Sequence, residues 1–173
     1  MATLNVADLN RQGKVFTAAN VSEKSVIAVT TAMTGLILWN PSGSGRKLII
    51  VDAGFAWTTV PVARQNIGIA VMTANNAVPT SLTAAGSPAS SADGAGNVGV
   101  GVAWDAATLP AAPVARRWLG GAAWISGASV GPYFFVDRID GSLILVPGSA
   151  AAFTVVTTTA LGMASLTWAE VPA

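Results

Sequence analysis

The chain has 173 residues, of which 52% are hydrophobic and 10% are charged, and its formal net charge is +1. It contains no cysteine and no histidine, which excludes disulfide bonds, thiolate metal sites and acid–base catalysis by histidine. The near-neutral charge predicts no binding to nucleic acid and none to a membrane surface, because both need clustered Lys and Arg.

The low charge content predicts association with other chains. An average globular domain has about 25% charged residues, so a lone domain of this composition would leave apolar surface in contact with water. Large exposed apolar patches mark association surfaces. We therefore expect an obligate oligomer in which each chain forms one domain with its own core.

The N-terminal segment, residues 1–24, is predicted to be an extended arm ahead of a β-sandwich domain at residues 25–173. It lacks the basic and apolar regions of a signal peptide, and no apolar run in the chain approaches the length of a spanning helix, about 18 residues. Candidates for docking on a partner are Leu4, Val6, Leu9, Arg11 and Phe16. The alternative is that the arm folds back onto its own sandwich as an additional strand.

Short β-branched and aromatic runs, separated by Gly and Pro, predict strands along the rest of the chain. In chain order the predicted strands are 25–30, 35–40, 47–60, 66–74, 98–104, 132–139, 142–148, 152–160 and 163–171. A loop rich in Ala, Ser, Gly and Pro is predicted at 79–97. No segment shows a helical apolar stripe, so the pattern predicts an all-β fold, an antiparallel β-sandwich or jelly roll.

Two glycine-rich motifs resemble nucleotide-binding loops. "NPSGSGR" (40–46) approximates a phosphate-binding loop, but a β-branched run follows where a helix must begin. "GAGNVG" (94–99) matches the dinucleotide pattern, yet it has neither a strand before it nor a helix after it. We predict a hairpin turn at the first motif and a loop that enters a strand at the second, without a nucleotide cofactor.

Two charged stretches are candidates for binding sites, one for a cation and one for a nucleic-acid base. "DRIDGSL" (137–143) lacks the spacing of a calcium loop and predicts a hairpin turn at Asp140 and Gly141, with adventitious cation binding as the alternative. "ARRW" (115–118) is the one dense basic spot in the sequence. A pair of arginines at a strand edge that contacts a neighbour's carboxylates or carbonyls is favoured there over stacking on a nucleic-acid base.

The sequence offers little for catalysis. The acidic residues in or beside predicted strands are Asp52, Asp105, Asp137 and Asp140, and their spacing brings no two together. A Ser–Lys or Thr nucleophile stays open. The six tryptophans are interpreted as core and interface anchors, with a carbohydrate-stacking platform as the alternative. We expect no enzyme, no cofactor and no metal.

The layout of these elements resembles that of small virion proteins of tailed bacteriophages. The resemblance rests on an early hairpin, "LILWNPSGSGRKLIIVDAGFAW", a late hairpin, "VDRIDGSLILVPGSAAAFTV", and a terminal strand, "ASLTWAEVP". Such proteins are similar to the trimeric, tumour-necrosis-factor-like jelly rolls that decorate or cement capsids or form head fibres. The resemblance implies a homotrimer on the capsid surface of the virion, made in the host cytoplasm, and it transfers no functional residue.

The expected function is therefore structural. A capsid decoration or cement protein binds the major capsid protein or another virion protein and stabilises the shell by mass action and multivalent attachment. The alternative is a tail or head-fibre module that binds a receptor or a carbohydrate, using tryptophans and the loop at 79–97.

Overall fold

A computed structural model describes residues 5–59, 65–83, 90–92, 94, 96–122, 134–157 and 159–173. In chain order its elements are α1 (Val6–Arg11), β1 (Val15–Ala19), β2 (Lys24–Val26), β3 (Ala32–Trp39), β4 (Arg46–Trp57), β5 (Gln65–Met72), β6 (Thr80–Thr83), β7 (Ser90–Ser91), β8 (Val102–Thr108), β9 (Val114–Ala122), β10 (Phe134–Leu145), β11 (Ala150–Val155) and β12 (Ala160–Pro172).

The strands form two six-stranded sheets, and this sandwich confirms the all-β prediction. Sheet A has the strand order β10-β4-β12-β1-β7, and β2 also pairs with β12. Sheet B has the order β6-β8-β3-β11-β5-β9. The ladders between these strands are antiparallel.

The main core lies between the sheets and is built by alternate residues of each strand. Ala53, Phe55 and Trp57 of β4 point inward, because successive side chains of a strand point to opposite faces. Trp168 of β12 is fully buried, and its ring stacks on Phe16 of β1 with 6.2 Å between the centroids. The aromatic side chains of sheet A therefore fill the interior of the sandwich.

The turn "NPSGSGR" joins two sheets, so the prediction of a hairpin there was wrong. β3 ends in sheet B and β4 begins in sheet A. The side-chain amide nitrogen of Asn40 donates to the carbonyl oxygens of Arg46 (2.8 Å) and Leu145 (2.9 Å). β3 lies between β8 and β11 in sheet B, and β4 lies between β10 and β12 in sheet A. Both strands carry completely buried residues, such as Leu38 and Leu48.

A second connection between the sheets, residues 146–149 from β10 to β11, runs beside the first. The backbone nitrogen of Asn40 donates to the Ser149 carbonyl at 2.9 Å, and that of Gly148 donates to the Asn40 carbonyl at 2.7 Å. β3 pairs with β11 in sheet B, and β4 pairs with β10 in sheet A. A two-stranded ribbon therefore bends from one sheet into the other. The predicted late hairpin was also wrong, because residues 146–149 connect a strand of sheet A to a strand of sheet B.

The predicted hairpin at Asp140 and Gly141 is instead a bulge within the continuous strand β10. In the ladder with β4, Arg138 lies opposite Asp52 and Leu143 lies opposite Ile50, so that residues 139–142 correspond to one residue of β4. Asp140 (φ 45°) and Gly141 (φ 79°) take left-handed conformations there. The hairpin prediction was wrong because pairing with β4 resumes after the excursion.

The N-terminal segment is folded onto the sandwich. Residues 6–11 form α1, and residues 15–19 form β1, which pairs with β12. In its described part, residues 5–24, the segment thus follows the alternative in which it adds a strand to its own sheet, and it does not run as an extended arm. The expected boundary between residues 24 and 25 falls inside β2.

Candidate interaction surfaces

The part of the chain that the structure describes contains no group of three or more Asp, Glu, His or Cys side chains that could hold a metal ion. Within the same part, no helix is long and apolar enough to cross a membrane. The expectations of no metal and no enzyme stay predictions, and Asp105, Asp137 and Glu170 have structural contacts.

Asp105 of β8 in sheet B links this sheet to residues on the side of sheet A. Its side chain is 4% exposed, accepts a hydrogen bond from the Asn20 amide at 2.7 Å and lies 3.2 Å from the Lys24 ammonium nitrogen. The amide oxygen of Asn20 accepts from the backbone nitrogen of Ala164 at 3.0 Å. A buried charge is tolerated when it is paired and hydrogen-bonded, so Asp105 is assigned to the fold.

Asp137 of β10 binds Arg117 of β9 with two hydrogen bonds. Arg117 Nε lies 2.5 Å from Asp137 Oδ2, and Arg117 Nη2 lies 3.1 Å from Asp137 Oδ1. The hydrogen bond to Asp137 raises the pKa of the Arg117 guanidinium. β9 ends sheet B and β10 ends sheet A, so this pair joins the two sheets along one side of the sandwich. Arg117 thus contacts a carboxylate of its own chain, and contact of the arginine pair with a neighbour's carboxylates or carbonyls stays a prediction.

Both glycine-rich motifs lead into strands. In the first, Ser44 Oγ donates to Asn40 Oδ1 at 2.7 Å and accepts from the Arg46 backbone nitrogen at 3.2 Å, and β4 follows directly. In the second, Gly94 and Gly96 take left-handed conformations, and residues 96–101 form no helix. Neither motif presents the helix N-terminus that holds a phosphate. The lack of nucleotide binding itself stays a prediction.

Two serine patterns bear on the open question of a nucleophile. Ser44 and Lys47 have the S-x-x-K spacing. Residues three apart share a face in a helix, but here Lys47 lies in β4 and the Ser44 hydroxyl is bonded within its own turn. The sequence "GASVG" at 127–131 has the G-x-S-x-G pattern and lies outside the described residues.

Glu170 of β12 is a buried carboxylate that sequence reasoning missed. Its side chain accepts hydrogen bonds from the backbone nitrogens of Val100 (2.9 Å) and Gly101 (3.0 Å) and from the Trp168 indole nitrogen (3.2 Å). These bonds fasten the segment before β8 to β12. The signal was present, because Leu166, Trp168 and Glu170 alternate along one strand and therefore share its inward face.

The tryptophans divide into buried and exposed groups. Three are buried, and these are Trp39, Trp57 and Trp168. Trp104 stacks on Trp39 with 5.6 Å between ring centroids. Trp118 on β9 is 47% exposed, and Trp124 lies outside the described residues. The interpretation as core anchors therefore holds for the three buried tryptophans, whereas about half of the Trp118 side chain is exposed to solvent.

The predicted docking residues are not equivalent in the structure. Phe16 is 3% exposed and belongs to the chain's own core, so its ring is not offered to a partner. Val6 and Leu9 are partly buried, because α1 packs them against sheet A. Arg11 is exposed and pairs with Asp8. Leu4 lies outside the described residues. Docking of the segment on a partner stays a prediction.

α1 covers one half of the outer face of sheet A, here called the covered half. The sheet residues beneath it are Val15, Ile49, Val51 and Ala169. Val51 is 5% exposed and Ile49 is 9% exposed, although both point away from the main core. The helix is short, and its N-cap Asn5 accepts from the Ala7 backbone nitrogen at 3.0 Å. An apolar sheet face is thereby shielded from water by the chain itself.

The other half of this face, the open half, has no such cover among the described residues. It comprises Ala19, Gly54, Ala56, Phe134, Val136, Met163 and Ser165. Phe134 is 70% exposed and Val136 is 72% exposed. They border a shallow groove of about 250 Å³, and among the described residues no charged side chain lines it. Sequence reasoning predicted an apolar surplus at the surface but did not locate it.

No family model, no curated protein and no solved structure matches this chain.

Proposed function

We propose that the chain is a non-enzymatic structural component of a phage particle, a capsid decoration or cement protein that binds the shell as a homo-oligomer. The observation that carries the proposal is the open half of sheet A, where Phe134 and Val136 protrude beside an uncharged groove. Contiguous apolar surface of this kind marks a site of association with another chain. The layout of the sequence supplies the virion context and the expectation of three copies.

The proposed mechanism is burial of surface in an assembly. An oligomer that bridges neighbouring shell subunits stabilises the assembled state by mass action, since it binds that state and not the separated subunits. Several attachment points per oligomer multiply weak individual contacts. The N-terminal segment is the proposed shell contact, because Val6 and Leu9 are only partly used by the sandwich and Arg11 is exposed.

One observation favours a second candidate, a carbohydrate-binding fibre module. Trp118 is 47% exposed at the edge of sheet B, and its ring lies directly over Gly68 of β5. A flat exposed indole is suited to stacking on a sugar ring. Selective binding in a glycan array, lost in a Trp118→Ala variant, would favour this candidate over the structural role.

Immunogold electron microscopy of intact particles tests the main proposal. An antibody raised against the purified chain is expected to label the shell in a regular array. Labelling confined to tails or fibre tips would favour the receptor-binding candidate. Particles that carry no label would contradict both candidates.

A further inference from the structure

The open half of sheet A combines a ridge and a groove on one surface. The ridge is formed by Phe134 and Val136 of the edge strand β10. The groove beside it passes over Gly54, Ala56 and Ser165, three small residues on the neighbouring strands β4 and β12. Its volume of about 250 Å³ lies below the range of small-molecule pockets, about 300–1,000 Å³. The shape suits protruding side chains of another protein.

We propose that the occupant is a second copy of this chain, bound face to face across a two-fold axis. In an isologous contact residue i of one copy meets residue j of the other, and the reverse contact forms at the same time. A ridge beside a groove meets this condition, because the Phe134 ridge of each copy can enter the groove of the other. Both grooves are then filled and both ridges are removed from water.

Charge supports a second copy as the occupant. The described part of the chain places no charged side chain in the lining of the groove, so two copies can approach there without burying an unpaired charge or placing like charges together. The formal net charge of +1 leaves little general repulsion between copies. On the same strands, Arg138 and Asp52 lie opposite each other in the ladder and have opposite signs.

The edge strands on the side of the ridge, β10 and β9, favour packing through the face over pairing through an edge. β10 is interrupted by the bulge at Asp140 and Gly141, and β9 has register shifts at two places in its ladder with β5. Bulges blunt an edge strand against pairing with another chain. The apolar ridge points out of the sheet, so its natural partner is a second surface that faces it.

This inference rests on the proposed function insofar as both assume that the chain buries surface in an assembly, but it makes a separate claim about number. A face-to-face contact pairs copies, so the assembly contains an even number. A dimer satisfies it alone, and a hexamer satisfies it if a three-fold contact also forms elsewhere. Blocking this face should then halve the mass of the oligomer.

Sedimentation equilibrium of the full chain tests this claim. The wild type is expected to contain two or six copies, and a Phe134→Ser, Val136→Ser double variant one or three, with association weakened at least about 100-fold. Ser165→Arg, which blocks the groove, should give the same halved mass. Val98→Ser is the matched control, because Val98 is 92% exposed elsewhere and its substitution should leave the mass unchanged. Circular dichroism checks that each variant is folded.

The outcomes separate this inference from the proposed function. A wild-type trimer whose mass neither variant changes would overturn the inference and leave the shell-binding proposal standing. A wild type that stays monomeric at micromolar concentration would overturn both. Variants that keep the wild-type mass but fail to bind particles would show that the face takes another virion protein, and this result would also overturn the inference.

Discussion

The covered and open halves of sheet A are built from the same strands but meet water differently. In the covered half Val51 is 5% exposed beneath α1, whereas in the open half Val136 is 72% exposed. β4 and β12 run through both halves. Among the described residues, the helix α1 thus shields one half of this apolar sheet face from water and leaves the other half exposed. The contrast supports the proposal that another chain covers the open half.

The boundary between the halves coincides with a break in the ladders of β4. Thr167 lies opposite Asp52 and Trp168 opposite Ile50, so Val51 is an extra residue against β12. The bulge in β10 lies opposite the same position. A bulge changes which side chains point outward, and here it shifts the alternation along β4, so that Ile50 and, three residues later, Ala53 both point into the main core.

The largest expected effect comes from placing the same charge in each half. Val51→Asp should reduce the free energy of unfolding by about 3–5 kcal/mol, because it leaves an unpaired charge beneath α1. Val136→Asp should change it by less than about 0.5 kcal/mol in the dissociated protein, because that side chain is in water. Urea denaturation at low protein concentration measures both values. Equal losses in the two variants would show that the halves do not differ as described.

Removing the cover should make the covered half resemble the open half. Deletion of residues 2–12 removes α1 but spares the Lys14 carbonyl, which accepts from the Glu170 backbone nitrogen. We expect an unchanged sheet signature in circular dichroism and a loss of about 2 kcal/mol, since two partly buried side chains, Val6 and Leu9, are lost.

The deletion also tests the proposed shell contact. The truncated protein should keep its oligomeric state and bind particles more weakly in a co-sedimentation assay. Full binding by the truncated protein would move the attachment surface onto the sandwich. Unfolding of the truncated protein would show that α1 is required for the fold.

A smaller effect is expected from loosening the cover without removing it. Asn5→Ala removes the side-chain oxygen that accepts from the Ala7 backbone nitrogen, and loss of such an N-cap costs about 1 kcal/mol. Asn5→Ser is the control, because serine also caps a helix. Thermal unfolding should rank the wild type and the serine variant above the alanine variant. Identical melting temperatures would mean that α1 contributes nothing to the covered half.

The sequence predicted the fold class because strand patterns and turn residues are local features. Most of the predicted strand runs overlap strands of the structure, such as 47–60 with β4 and 163–171 with β12. Two turns were assigned to hairpins although they cross between sheets. A turn motif gives the backbone angles of a few residues, but the choice of sheet depends on distant partners such as Leu145, which bonds to Asn40.

The exposed apolar surface was predicted in kind but not in place. The low charge content indicates that apolar surface remains exposed, yet Phe134 and Phe135 are identical in type and adjacent in sequence. Phe134 is exposed, whereas Phe135 packs against the core. The pleat of β10 decides between them, and its phase is set by pairing with β4. The helix α1 was missed because six residues are too few to show a helical period.

The most direct test of the central claim, that another chain covers the open half in the assembly, uses the absence of native cysteine. Single variants Val136→Cys and Val98→Cys place one thiol on the open half and one on a control surface. The rate of maleimide labelling is measured in the assembled protein and at a dilution that dissociates it. We predict that assembly slows labelling at position 136 at least about tenfold and leaves position 98 unchanged, because burial limits access to a thiol. Equal labelling rates at position 136 in the assembled and dissociated protein would contradict the account.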